Sequence, residues 1–233
     1  MGSATSKGKV KFEVEKEDLD VLLEYSKELG ARESLVVDLD KHVKFRESVR
    51  RKCEIPNCGA YAVCFQCPPS TPGKKRMEAC IPPSYDYGIL AVIYSSPEEV
   101  GVDESGDIIK ALDNEGAWSA RVNRLAGSIE SKALELGYYK AMGFTCGPCT
   151  LCGMITGQWF LNYLSGEEAR FCELMLGMTC RLHRRARPSA EPCGIDIIEF
   201  IRDAGLAPNE LIMPEIMPDC VPECPYYGFV LVG

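Results

Sequence analysis

The chemistry of this sequence lies in its sulfur. Thirteen of its 233 residues are cysteine, against two histidines, His42 and His183. The thiols fall into groups. Cys53, Cys58, Cys64, Cys67 and Cys80 form the first, and Cys146, Cys149, Cys152, Cys172, Cys180 and Cys193 the second, with Cys220 and Cys224 near the end. In Cys146-Gly-Pro-Cys149-Thr-Leu-Cys152 a thiol recurs at every third position. One turning loop can then offer three thiolates to a single inorganic core, with a fourth arriving from elsewhere, which is the spacing used by 4Fe–4S loops. Gly147-Pro148 supplies the tight turn. Zinc also takes Cys-x-x-Cys, in two separated pairs, and a redox dithiol is a further alternative. Cys53-Glu-Ile-Pro-Asn-Cys58-Gly-Ala-Tyr-Ala-Val-Cys64-Phe-Gln-Cys67-Pro-Pro could close a site with its own four thiols. Zinc is the stronger rival there, because Cys64 and Cys67 have the spacing of a zinc knuckle. Cys220 and Cys224 leave three readings open: a redox pair, part of another site, or two buried thiols.

The compartment decides how such thiols are read. Their number is odd, and Met1–Lys7 is polar without an apolar export stretch. These features point to a cytoplasmic chain with reduced thiols, hence to metal or redox chemistry rather than a disulfide framework. The net charge of −8 argues against a nucleic-acid partner, whose phosphates need basic excess. No apolar run approaches the roughly 18 residues of a membrane span, so no membrane insertion is expected. Two histidines leave little material for a two-His zinc hydrolase or a Ser-His-Asp triad. Neither a GxxxxGK[ST] loop nor a strand-linked GxGxxG is present. Yet 10 of the 26 basic residues flank cysteines: Arg50, Arg51, Lys52, Lys74, Lys75, Arg76, Arg181, Arg184, Arg185 and Arg187. Cations there suit the negative charge of a thiolate-bound cluster, or a patch that recruits an acidic partner. His183 reads as a surface or cluster-adjacent hydrogen bonder and His42 as structural.

These loops need a scaffold. Leu19, Leu22, Leu23, Ser26 and Leu29 share a helical face over 17–29, with Gly30 as a stop. Leu35-Val36-Val37 and residues 88–94 read as strands, the latter a continuous apolar run suited to burial. Residues 107–136 carry a long helical pattern through Val122, Leu125, Ala126, Ile129 and Ala133, with Gly116 a possible interruption. Strands are expected over 138–144 and 226–232, and a helix over 195–204. The sum is one α/β domain over 1–233 with mixed α+β layers: a central mixed sheet, flanking helices, and cysteine-rich loops at 53–80 and 146–193. An apolar insertion at 153–179, with Trp159, Phe160, Tyr163 and Phe171, suits two short helices packed in a core or covering a cluster.

Several segments together resemble a family of cysteine-rich predicted metal-binding proteins of anaerobic bacteria and archaea. They are Cys53, Cys58, Tyr61, Cys67-Pro-Pro and Cys80; Tyr138-Tyr-Lys-Ala-Met-Gly-Phe144; Gly147-Pro-Cys149-Thr-Leu-Cys152; Cys180-Arg181; Ala186-Arg-Pro-Ser-Ala-Glu191; Gly194-Ile-Asp196; and Tyr226-Tyr-Gly-Phe-Val-Leu231. The likeness runs over roughly 20–232 and implies metal binding without a settled reaction. The stretch 153–179 is longer than the family pattern, which leaves open whether Cys146 or Cys172 serves. Cys64, Cys193, Cys220 and Cys224 are additions to it. With the resemblance, the expected ligands are Cys53, Cys58, Cys67 and Cys80 for one 4Fe–4S cluster, and Cys146, Cys149, Cys152 and Cys180 for a second, with Cys172 as substitute and Cys64 near the first. The expected role is electron transfer to a redox partner protein or larger enzyme complex. The rivals are an iron–sulfur enzyme with an open cluster site, acting as Lewis acid or sulfur carrier, and a structural zinc module that binds partners.

Overall fold

The computed structural model describes residues 13–55, 58, 61–62, 64–95, 108–152, 164–166, 172–174, 177–180, 182–183, 185–203 and 224–233, with backbone alone at 108–116, 198 and 224. Four strands form its sheet: β1 (Glu33–Asp38), β2 (Tyr87–Ser95), β3 (Ala141–Thr145) and β4 (Cys224–Val232). Their order is β1-β2-β4-β3. Every ladder is antiparallel, with Leu35 opposite Leu90, Leu90 opposite Phe229, and Phe144 opposite Phe229. The mixed α/β layering is as the sequence indicated, but the sheet is antiparallel rather than mixed. Among the described residues the one parallel pairing is an isolated bridge between Thr145 and Ser189.

The apolar run of β2 is buried on both faces because each face meets its own layer. Ile89, Ala91 and Ile93 point to one side, where Leu19 and Leu22 of α1 (Lys16–Glu28) and Val122, Leu125, Ala126, Ile129 and Ala133 cover them. The last five belong to one long helix over 108–136, which Gly116 does not break. Tyr138 seals this layer: its hydroxyl donates to Asp18 at 2.6 Å and accepts the Glu15 N–H at 2.9 Å.

Leu90, Val92, Phe144, Phe229 and Leu231 point to the other side. There the cover is made of short pieces: α2 (Leu39–His42), α3 (Glu47–Arg51), α4 (Lys74–Cys80), a 3₁₀ turn over Glu191–Cys193, and a final helix over 197–203. With the long helix as α5 (Ile108–Leu136) and the last as α6 (Ile197–Asp203), the described residues hold six helices. His42 packs at a tilt on Phe200 in this layer, with ring centres 5.8 Å apart, in keeping with a structural role.

Residues 188–196 join the pieces. Thr145 donates to Pro188 O and accepts from Ala190 N, both at 2.9 Å. Ser189 N donates to Gln66 O, and Arg46 N to Gly194 O. Gly194 adopts φ 81°, and a Cβ there would lie 2.8 Å from the Lys74 Cβ, so a side chain would drive α4 away. Cys220, residues 1–12, and most of the 153–179 insertion lie outside the described residues, as does the side chain of Cys224.

Candidate metal centre

The cysteine loops leave the scaffold at the end of the sheet where β3 finishes. Cys146 follows β3 directly and packs against both sheet layers. Its sulfur accepts the Tyr227 N–H at 3.3 Å. The chain then turns sharply at Gly147, at φ 68°, as the Gly-Pro pair suggested. The Ser119 hydroxyl of α5 donates to Pro148 O and fixes this turn to the helix. Cys149 and Cys152 project beyond it.

The first motif is a chain of tight turns. Cys53 N donates to Arg50 O, Cys58 N to Cys53 O, Tyr61 N to Cys58 O and Cys67 N to Cys64 O, all between 2.8 and 3.2 Å. The turns bring Cys64 and Cys67 inside, at 1% and 5% exposure. Cys149, Cys152 and Cys172 pack directly against that buried pair. Two loops 82 residues apart in sequence, measured from Cys67 to Cys149, therefore meet through sulfur.

The electrostatics follow from this contact. Cys64 is held below the ordinary thiol range: the Cys67 S–H donates to its sulfur, and the backbone N–H groups of Cys149, Gln66 and Cys67 add to that against the opposing effect of burial. Cys67, the donor, is pushed up in turn, by that bond and by burial. Cys64 is thus a sulfur already surrounded by donors suited to negative charge, one of them from the other motif. Burial pushes Cys149 up to about 12, with the neighbouring Cys64, Cys152 and Cys180 adding to the rise. Cys53 rises to about 11, first through burial and then through Cys58 and Glu191, while Arg50 opposes. At neutral pH Cys149 and Cys53 keep their protons unless a metal displaces them.

The remaining residues are placed as follows. Cys58 is exposed and Cys53 and Cys180 are half-buried. Cys58 and Cys53 lie near enough to Cys67 to raise it, as Cys180 does Cys149. Cys80 is exposed at the end of α4, outside the packed thiols. His183 sets Nδ1 2.9 Å from Cys180 O, a hydrogen bonder beside a thiol. The Cys180 segment is tied down by Arg187, whose Nε and Nη2 meet Glu130 of α5 at 2.6 and 2.7 Å. The eleven cysteines whose side chains are described form no disulfide with one another. In their present positions no three Cys, His, Asp or Glu among the described residues are disposed to hold an ion. The donor set still fits a thiophilic metal in its chemistry: five reduced thiols in contact, two of them buried and one ringed by N–H donors.

Sequence reasoning did not reach three features. Buried Cys193 carries no motif signal. Glu191 keeps slight solvent contact, yet burial pushes its carboxyl up to about 7. Arg50 stood out only as one of three cations before Cys53, and its burial depends on residues far along the chain.

Scaffold and thiol group together define a cysteine-rich metal-binding protein built on an antiparallel α/β sheet. The chain belongs to the family described as "Predicted metal-binding protein (DUF2284)", which matches residues 39–232. A search of the curated proteins and a search of the solved structures each give no match. No helix among the described residues is long and apolar enough to cross a membrane.

Proposed function

We propose that this protein is a cytoplasmic iron–sulfur protein that holds two 4Fe–4S clusters and passes single electrons to a partner enzyme. The observation that carries the reading is the contact of Cys64 and Cys67 with Cys149, Cys152 and Cys172. On this reading Cys53, Cys58 and Cys67, with Cys64, hold one cluster. Cys149, Cys152, Cys172 and Cys180 hold the other. Cys172 takes the place of Cys146, whose sulfur is engaged by Tyr227, and Cys64 takes that of Cys80, which is exposed on α4. Two centres sharing one wall suit electron passage from one to the other. The bound clusters supply the redox chemistry, while the chain sets its potential through N–H donors and cations and excludes water with the buried pair. Ile55, Phe65 and Met178 are exposed near the thiol loops and offer apolar contact to a partner.

The test is anaerobic purification followed by iron, acid-labile sulfide and zinc analysis per chain, with electron paramagnetic resonance after reduction. Two clusters give about eight irons and eight sulfides. A colourless chain with stoichiometric zinc overturns the iron–sulfur assignment in favour of structural zinc sites.

A further inference from the structure

Arg50 is 91% buried, and its guanidinium touches only neutral oxygens. Nη1 donates to Thr71 Oγ1 at 3.1 Å, to Thr71 O at 3.2 Å, to Pro72 O at 3.3 Å and to Pro192 O, while Nη2 reaches Pro69 O at 3.4 Å. No carboxylate among the described residues forms an ion pair with it. A buried cation without a countercharge is costly, and chains that keep one offer it an anion. Glu191 does not fill that role, because it stays mostly protonated up to about neutral pH and forms no bond to Arg50. The other ionisable groups next to its bonded backbone are thiols. Cys53 N donates to Arg50 O at 3.0 Å, and Cys193 directly follows Pro192, whose carbonyl accepts from the guanidinium. The bonded carbonyls come from residues 69–72 behind Cys67 and from the 3₁₀ turn, so Arg50 lies between the first thiol motif and the 188–196 segment.

We propose that Arg50 is a positioning residue of the metal–thiolate centre, its fixed positive charge offsetting the negative charge that Cys53 and its neighbours acquire when they close on a metal. The proposal rests on the metal reading above but not on the identity of the metal. Binding exchanges protons for metal: each ligating S–H gives its proton to solvent as the sulfur–metal bond forms. The loaded site carries more negative charge than the apo site, in which most of the thiols keep their protons. Arg50 therefore favours the loaded state over the apo state, which a purely structural arginine does not.

Anaerobic titration of the apo-protein with Co²⁺, against a competing chelator and read at the sulfur-to-cobalt charge-transfer band, separates the two roles. Arg50→Lys keeps the charge and loses the fork of donors. Arg50→Gln keeps donors and loses the charge, and Arg50→Met is a second neutral variant should the glutamine chain not fold. Thermal melts of each apo form report the structural contribution. The charge role requires Co²⁺ affinity within about three-fold of wild type for R50K and at least about ten-fold weaker for R50Q or R50M. Equal affinity for wild type and a folded neutral variant overturns the inference, as does R50K falling together with R50Q. A wild-type chain that takes up no Co²⁺ overturns the metal reading and this inference with it.

Discussion

Glu130→Ala should cost this protein more than any single loss of a thiol. Glu130 projects from α5 and Arg187 from the segment between Cys180 and the 188–196 junction. Their side chains are 14% and 12% exposed. The carboxylate receives Arg187 Nε at 2.6 Å, Nη2 at 2.7 Å and the Gly143 N–H of β3. One acid thus ties the long helix, the edge strand and the Cys180 segment together. Removing it takes the countercharge from a mostly buried guanidinium that still donates to Ala186 O and His183 O, a loss of about 3–5 kcal/mol. Unfolding entropy of about 2.1 cal/mol/K per residue over this chain makes 1 kcal/mol worth about 2 °C, so the melting temperature should fall by about 6–10 °C. Differential scanning calorimetry on the apo form reads this directly. Adding Arg187→Met should recover part of the loss, because the stranded charge goes with it. A shift under about 2 °C, or a double variant no better than the sum of its parts, refutes the argument that the pair is buried and coupled.

Further expectations follow from the same geometry. Glu191 holds its proton up to about 7 in the folded chain, whereas the unfolded chain releases it near 4.5. The folded state then binds more protons between those values, so stability should fall by about 1–3 kcal/mol as pH rises through that window. Urea midpoints against pH should show this slope, and Glu191→Gln should flatten it. Cys64→Ser should lose the metal of the first loop, about half the content, whereas Cys80→Ser should leave metal content unchanged, as read by elemental analysis; equal loss from both variants would falsify the ligand grouping. Tyr138→Phe removes the bonds to Asp18 and Glu15 and should destabilise the chain by about 1–3 kcal/mol in urea, with metal content unaffected.

Much of the scaffold was legible because local pattern and burial agree. The 88–94 run is apolar at every position, and only a strand covered on both faces satisfies it. The long helix was legible from its stripe of Val122, Leu125, Ala126, Ile129 and Ala133 despite Gly116. Strand order was not legible, because β2 pairs with β4 across most of the chain and nothing in β2 names its partner. The same physics limited the site. The Cys-x-x-Cys spacings mark thiols that share a turn, and Gly147 turns where its position implied. Which loop meets which depends on the 188–196 segment, whose bonds to Thr145, Gln66, Lys44 and Arg46 are made by backbone and carry no residue signature.

The meeting of Cys67 with Cys149 spans a long stretch of polypeptide containing two strands and the largest helix. On the proposed grouping each loaded centre would close its own loop, and the packing of Cys149 on Cys64 and Cys67 would couple the two closures across the fold. Loading at one loop would then be linked to the order of the other. Stripping the ion with a chelator should loosen both loops together, so that a protease cuts near Cys58 and near Cys152 at one common rate.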